Sequence, residues 1–147
     1  MLKRKHIIAT LIAIVAMTIS SCELETSGNG DLDGYWHLVK VDTLSTDGST
    51  DLSDSLLFWA VEVNILNAVD RNGTSNFLLR FSHKDDTLRL YEPRYNDRMN
   101  GDPEVEDATE LQILGIEDLD VSYLIEKLTH SRMILSTNAI RLNFKKM

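Results

Sequence analysis

The feature that most restricts this chain is a series of short runs in which apolar and polar residues alternate, joined by links of only a few residues. Trp59, Val61, Val63 and Ile65 alternate with Ala60, Glu62 and Asn64. Phe77, Leu79 and Phe81 alternate with Leu78, Arg80 and Ser82, and Ile140, Leu142 and Phe144 with Arg141, Asn143 and Lys145. Successive side chains of a strand point to opposite faces, so a period of two reads as a strand with one buried face. Residues 35–41, 87–91, 121–128 and 132–136 follow the same pattern less strictly.

The links decide how such strands can pair. Asp70-Arg71-Asn72-Gly73 contains an Asn-Gly pair, a strong hairpin signal. His83 to Asp86 reads as a polar turn, and Thr129 to Ser131 and Thr137-Asn138 are also tight; Asp47-Gly48 marks a turn in a longer first loop. Parallel neighbours need crossovers of a dozen residues or more, so these strands run antiparallel in a meander. Seven or eight of them make a sandwich or a closed barrel, and closure removes the exposed edges. One segment departs from the pattern. Asp102-Pro103-Glu104 reads as a helix start, with a capping acid and proline at the first helical position, and Gly115 as its stop. Val105, Ala108, Leu111 and Gln112 would form its weak apolar stripe, although a short strand fits the same residues. Residues 93–101 read as a polar loop.

The N-terminus has a different character. Lys3, Arg4 and Lys5 precede an apolar run from Ile7 to Ile19, followed by Ser20, Ser21 and the single cysteine, Cys22. As a helix the run would be roughly 20 Å long at about 1.5 Å per residue, short of the roughly 30 Å hydrocarbon core. A basic flank, a short apolar core and small residues together predict an export signal over 1–21. Residues 22–32 are polar and glycine-containing and read as a flexible tether to a domain over 33–147. Removal of the signal takes three of the 15 basic residues, leaving 12 against 23 acidic ones, a net charge of −11. Such a domain is poorly suited to nucleic acid or to anionic lipid, both of which attract Lys and Arg.

Chemistry-bearing patterns are sparse. His37 falls in a strand, and His83 and His130 in turns. No serine has a nucleophile-elbow context, and no His-Glu-x-x-His or cysteine cluster points to a metal. The acids Asp102, Glu104, Glu106, Asp107 and Glu110, and again Glu117, Asp118 and Asp120, lack the ligand spacing of a calcium loop and read as solvated faces. No catalytic residue, metal or cofactor is expected. Trp36, Trp59, Tyr91 and Tyr123 are candidates to line a pocket for an apolar molecule, and the same positions suit a core.

Two resemblances add to this reading. Ile19-Ser20-Ser21-Cys22 resembles the lipobox of bacterial lipoproteins. The resemblance implies that Cys22 carries a diacylglyceryl group after cleavage before it, and that two or three acyl chains anchor the protein firmly. Asp33-Gly34-Tyr35-Trp36 resembles the Gly-x-Trp signature of lipocalin-like domains, and residues 128–135 and 140–146 look like the last strands of small lipocalin-like lipoproteins of Bacteroidetes. This resemblance implies a mainly β fold: an antiparallel up-and-down barrel of about eight strands, with room for one short helix. It also implies that a tryptophan, Trp36, plugs one end, and that an arginine of the last strand, Arg141, covers it through a cation–π contact. An outward-facing Arg141 between apolar neighbours fits the alternation better. The expected protein is a non-enzymatic lipoprotein of the cell envelope, held in the outer membrane on the periplasmic face or the cell surface. Its partners would be the membrane, through the lipid, and a small apolar ligand or an envelope protein. An interaction or scaffold module, or an inhibitor, with a filled barrel is the alternative.

Overall fold

A computed structural model describes residues 27–147. The expected export signal, Cys22 and the first part of the expected tether lie outside the described residues. Nine strands form one antiparallel sheet: β1 (Gly34–Thr43), β2 (Gly48–Asp51), β3 (Leu57–Glu62), β4 (Ile65–Asp70), β5 (Asn76–Lys84), β6 (Thr87–Tyr95), β7 (Val121–Leu128), β8 (Arg132–Ser136) and β9 (Ile140–Lys146). The sheet closes on itself because β9 pairs with β1 along most of its length, from Trp36↔Lys146 to Thr43↔Ile140. Eight strands make the barrel. The ninth, β2, extends the upper edge of β1 (Lys40↔Asp51 to Thr43↔Gly48), while β3 holds the lower part (Gly34↔Val61 to His37↔Phe58). A closed eight-stranded barrel has an interior just wide enough for side chains to fill.

The alternation sets the two faces. Trp36, Leu38, Trp59, Val61, Leu66, Phe77, Leu79, Leu88, Leu90, Tyr123, Leu142 and Phe144 point inward and belong to one buried cluster. Tyr35, His37 and Phe58 form a separate stack on the outer face, with Arg71 over the rings of Tyr35 and Phe58.

Several boundaries differ from the sequence expectation. The run from Trp59 to Ile65 is two strands, broken by a two-residue turn at Val63-Asn64 in which Val63 has φ 54°. Alternation hides that turn, because a β-branched residue is among the least suited to a left-handed conformation. Pro93 is no loop residue: β6 continues to Tyr95 through an irregularity in its pairing with β5, where Glu92 has φ 51° and Pro93 turns inward. Proline is tolerated there because β6 pairs with β7 only from Thr87 to Leu90. Ser27–Leu32, expected as tether, is already part of the packed structure. Gly30–Leu32 forms a 3-10 turn, Leu32 is fully buried, and the Trp36 Nε1–H donates to the Leu32 carbonyl at 2.8 Å.

Candidate functional site

In a barrel of this kind the interior is where a small ligand would sit, so the question is what occupies it. The long connection from β6 to β7 does. After an exposed loop, Asp102 with φ 50° turns the chain back, and residues 103–105 run beside the upper part of β6. The Tyr95 N–H donates to the Pro103 carbonyl, the Val105 N–H to the Pro93 carbonyl, and Arg94 bridges to Glu104. The helix therefore does not begin at Asp102; the strand-like alternative describes that stretch. A 3-10 helix follows over Ala108–Leu114, capped by the Asp107 carboxylate, which accepts from the Thr109 N–H. Val105, Leu111, Leu114 and Ile116 all enter the buried cluster. Of the stripe expected on this segment, Val105 and Leu111 are buried, Ala108 is half-buried and Gln112 is exposed.

Two of the expected pocket residues hold this plug. Trp59 Nε1–H donates to the Leu114 carbonyl at 2.9 Å, and the Tyr123 hydroxyl donates to the Gly115 carbonyl at 2.8 Å. These carbonyls end the 3-10 helix, which would otherwise leave them unpaired inside an apolar barrel, and each such loss costs about 1–3 kcal/mol. Gly115 ends the helix at φ 80°, and a Cβ there would lie 2.8 Å from Leu142 Cδ2. Glycine is required both by the turn and by the close approach to β9. Burial pushes the Tyr123 hydroxyl above its ordinary range, with the nearby Glu117 charge adding to the effect. It therefore stays protonated and keeps donating.

The other end of the barrel is closed by Trp36. Lys146 Nζ lies 4.6 Å from the Trp36 ring centroid and donates to the Asp31 carbonyl at 2.8 Å. The cation over the signature tryptophan is thus Lys146 and not Arg141. Leu142, Phe144 and Lys146 share the inward parity of β9, whereas Arg141 faces out and pairs with Glu126 at 2.9 Å. Tyr91 is also on the outside, half-buried, with the Arg89 guanidinium 4.8 Å from its ring centroid. The structure brings Trp36, Trp59 and Tyr123 together in the interior and leaves Tyr91 apart from them.

The acidic runs are absorbed locally. Asp102 pairs with Arg98, Glu104 with Arg94 and Asp120 with Arg89, while Glu110 accepts from the Tyr95 hydroxyl and Glu117 from Thr137. The Arg89 hydrogen bond holds the Asp120 carboxyl below its usual range, and the Thr109 hydrogen bonds do the same for Asp107. Among the described residues no group of three or more His, Cys, Asp or Glu converges on one point. His37 Nε2 lies 2.6 Å from the Ser55 carbonyl, and His83 and His130 are exposed.

Among the described residues, the cavities along the surface of the barrel include the following three. The first, about 200 Å³, is a cleft at the edge of the plug, between Glu92–Arg94 of β6 and Glu104, Val105 and Leu119. The second, about 450 Å³, is a groove on the outside of β3 to β5, with Ile65, Asn67 and Leu78 as floor and Asn96 and Arg98 at its margin. The third, about 520 Å³, is an open groove between Ser27, Gly34, Tyr35 and the Val61–Val63 stretch. None of the three is lined by Trp36, Trp59 or Tyr123.

The sequence of this eight-stranded up-and-down barrel is matched by a family model. The model of the lipocalin-like domain covers residues 17–147. The chain belongs to the lipocalin-like domain family. Two solved structures share this lipocalin-like fold. A lipocalin-like protein from Bacteroides uniformis is 20% identical, with a TM-score of 0.62 over 80% of this chain and all of its own. An uncharacterised protein from Bacteroides eggerthii is 19% identical, with a TM-score of 0.54 over 78% of this chain and 98% of its own. No curated protein matches the lipocalin-like chain.

Proposed function

We propose that this protein is a non-enzymatic lipoprotein of the cell envelope, anchored through Cys22, whose filled lipocalin-like barrel binds an envelope partner through its outer surface. The observation that carries the reading is the plug. Burying a large aliphatic side chain is worth about 1.5–3 kcal/mol, so Val105, Leu111, Leu114 and Ile116 together contribute on the order of 6–12 kcal/mol as an upper bound. A ligand bound at 1 µM gains about 8 kcal/mol in total. A molecule that expelled the plug and still bound at that strength would have to recover the roughly 6–12 kcal/mol in addition to this net gain. The part of the outer groove of β3 to β5 away from the Val63-Asn64 turn, lined by Asn67, Leu78, Asn96 and Arg98, is the surface the reading assigns to the partner.

The second reading, a small apolar ligand, is favoured by the cleft at the plug's edge, where Pro93, Val105 and Leu119 leave about 200 Å³. Native mass spectrometry of the protein exported without its acyl chains separates the two. The filled-barrel reading expects the bare polypeptide mass; a stoichiometric adduct of a few hundred daltons, lost when the chain unfolds, would favour the ligand. The mass of the processed chain from envelope fractions tests the anchor, which requires an N-terminal diacylglyceryl-modified Cys22.

A further inference from the structure

The turn between β3 and β4 is chemically out of place. Glu62 pairs with Ile65, leaving Val63-Asn64 as the loop, and Val63 holds φ 54° while 61% exposed. The next turn at the same end of the barrel, Asp85-Asp86 between β5 and β6, has the same length and the same positive φ at its first residue, but an aspartate there. Asp and Asn tolerate that conformation and hydrogen-bond water; a β-branched aliphatic residue does neither. Val63 therefore bears backbone strain and exposes an apolar side chain at once. Strain kept at an exposed position points to a role outside the fold. Ile65, 41% exposed, stands beside it, and Met147, 70% exposed, is held at the same end by its N–H on the Tyr35 carbonyl.

The course of the chain says what meets this tip. Asn29 Nδ2 donates to the Val63 carbonyl at 2.8 Å, and Ser27 lines the same groove as Val63. Cys22 precedes Ser27 by five residues, a span of at most about 17 Å fully extended. Resting on the lipoprotein reading, we infer that the Val63–Ile65 tip is a bilayer-contact site: it inserts among the lipid headgroups beside the acylated Cys22 and sets the orientation of the barrel on the membrane. The recognition is apolar, since the exported chain is acidic and an anionic surface would repel it. Contact through Val63 and Ile65 is accordingly insensitive to salt.

The acylated protein in phosphatidylcholine vesicles provides the test. Acylation leaves no free thiol, so Asn64→Cys or Asn72→Cys carries a single nitroxide spin label. Asn72 lies past the far end of β4, a strand of six residues and roughly 20 Å. The inference expects the label at position 64 to be several-fold less accessible to a water-soluble nickel chelate than the label at 72, and more accessible to oxygen. The second substitution Val63→Asp, in the Asn64→Cys protein, should return that label to water without releasing the protein from the vesicles. Equal nickel access at the two positions overturns the inference, as does shielding of position 64 from both reagents, which would mean that protein covers the tip. An acylated protein with a wet tip defeats this inference alone. An unacylated Cys22 defeats the anchoring reading and takes this inference with it.

Discussion

Leu111 and Ile113 lie two residues apart on the 3-10 helix of the plug, the first fully buried and the second 54% exposed. Leu111→Ala removes three carbons from the interior. At about 0.8 kcal/mol per methylene the transfer loss alone is about 2.4 kcal/mol. The interior is enclosed by a hydrogen-bonded barrel and cannot fully collapse into the space, so the cavity adds to this, for a total of about 3–4 kcal/mol. For a domain of this size that is a fall in Tm of roughly 10 °C. Ile113→Ala removes about as much carbon from the same helix but faces water, and should stay within about 0.5–1 kcal/mol of the parent. Urea titrations followed by far-UV circular dichroism measure both, with the slope m unchanged. If the two substitutions agree to within about 0.5 kcal/mol, the plug does not fill the barrel and the packing account is wrong.

Trp59→Phe leaves the Leu114 carbonyl without its donor and should cost about 1–3 kcal/mol beyond any change in packing, measurable as a lower urea midpoint. Burial raises the Tyr123 hydroxyl above its unfolded range near pH 10, so the folded state retains a proton that the unfolded state gives up. Stability from this group is complete below about pH 10 and declines as pH rises further; the alkaline decline in urea midpoint should shrink in Tyr123→Phe. Lys146→Ala removes the cation over Trp36 and should destabilise by about 1–2 kcal/mol, whereas Arg141→Ala breaks a half-exposed pair and should cost below about 1 kcal/mol. Equal effects would deny Lys146 its place. Val63→Asn, which relieves a left-handed valine, should raise stability by about 1 kcal/mol by thermal melting.

The barrel was legible because its signals are local. Strand alternation, the Asn-Gly pair at Asn72-Gly73 and the short links each act within a few residues, and together they leave an antiparallel meander folded as a sandwich or a closed barrel, between which the resemblance to lipocalin-like domains decided. Gly-x-Trp placed Trp36 at the closed end. The cation above it was harder to read. Arg141 looked right by residue type, but inward parity on β9 runs through Leu142 and Phe144 to Lys146, and parity rather than type decides which side chain reaches the interior. The break at Val63-Asn64 was hidden because the turn carries a residue that physical chemistry disfavours there. Tyr91 was misleading for a related reason: it follows Leu88 and Leu90 closely, yet an odd position on that part of β6 faces out beside Arg89.

The plug was legible only in outline. Gly115 correctly marked a stop, but Asp102-Pro103 imitated a helix start because a capping acid before proline suits a turn as well. That the segment enters the barrel depends on contacts some 55 residues apart, between Trp59 and Leu114, which no local pattern records. One signal was available: Leu111, Leu114 and Ile116 are large aliphatic residues crowded into a segment otherwise rich in acids, and such residues need a place to be buried.

The central claim, that the barrel is filled by its own β6–β7 connection, is tested most directly at the indole proton of Trp59. Hydrogen exchange of the two tryptophan side chains is readily followed by nuclear magnetic resonance. With Leu114 as acceptor inside a packed interior, the Trp59 proton should exchange only on global unfolding, with the same free energy as the most protected amides of the sheet. Exchange at the rate of an exposed indole, in a barrel whose strand amides remain protected, would show the interior open and contradict the account.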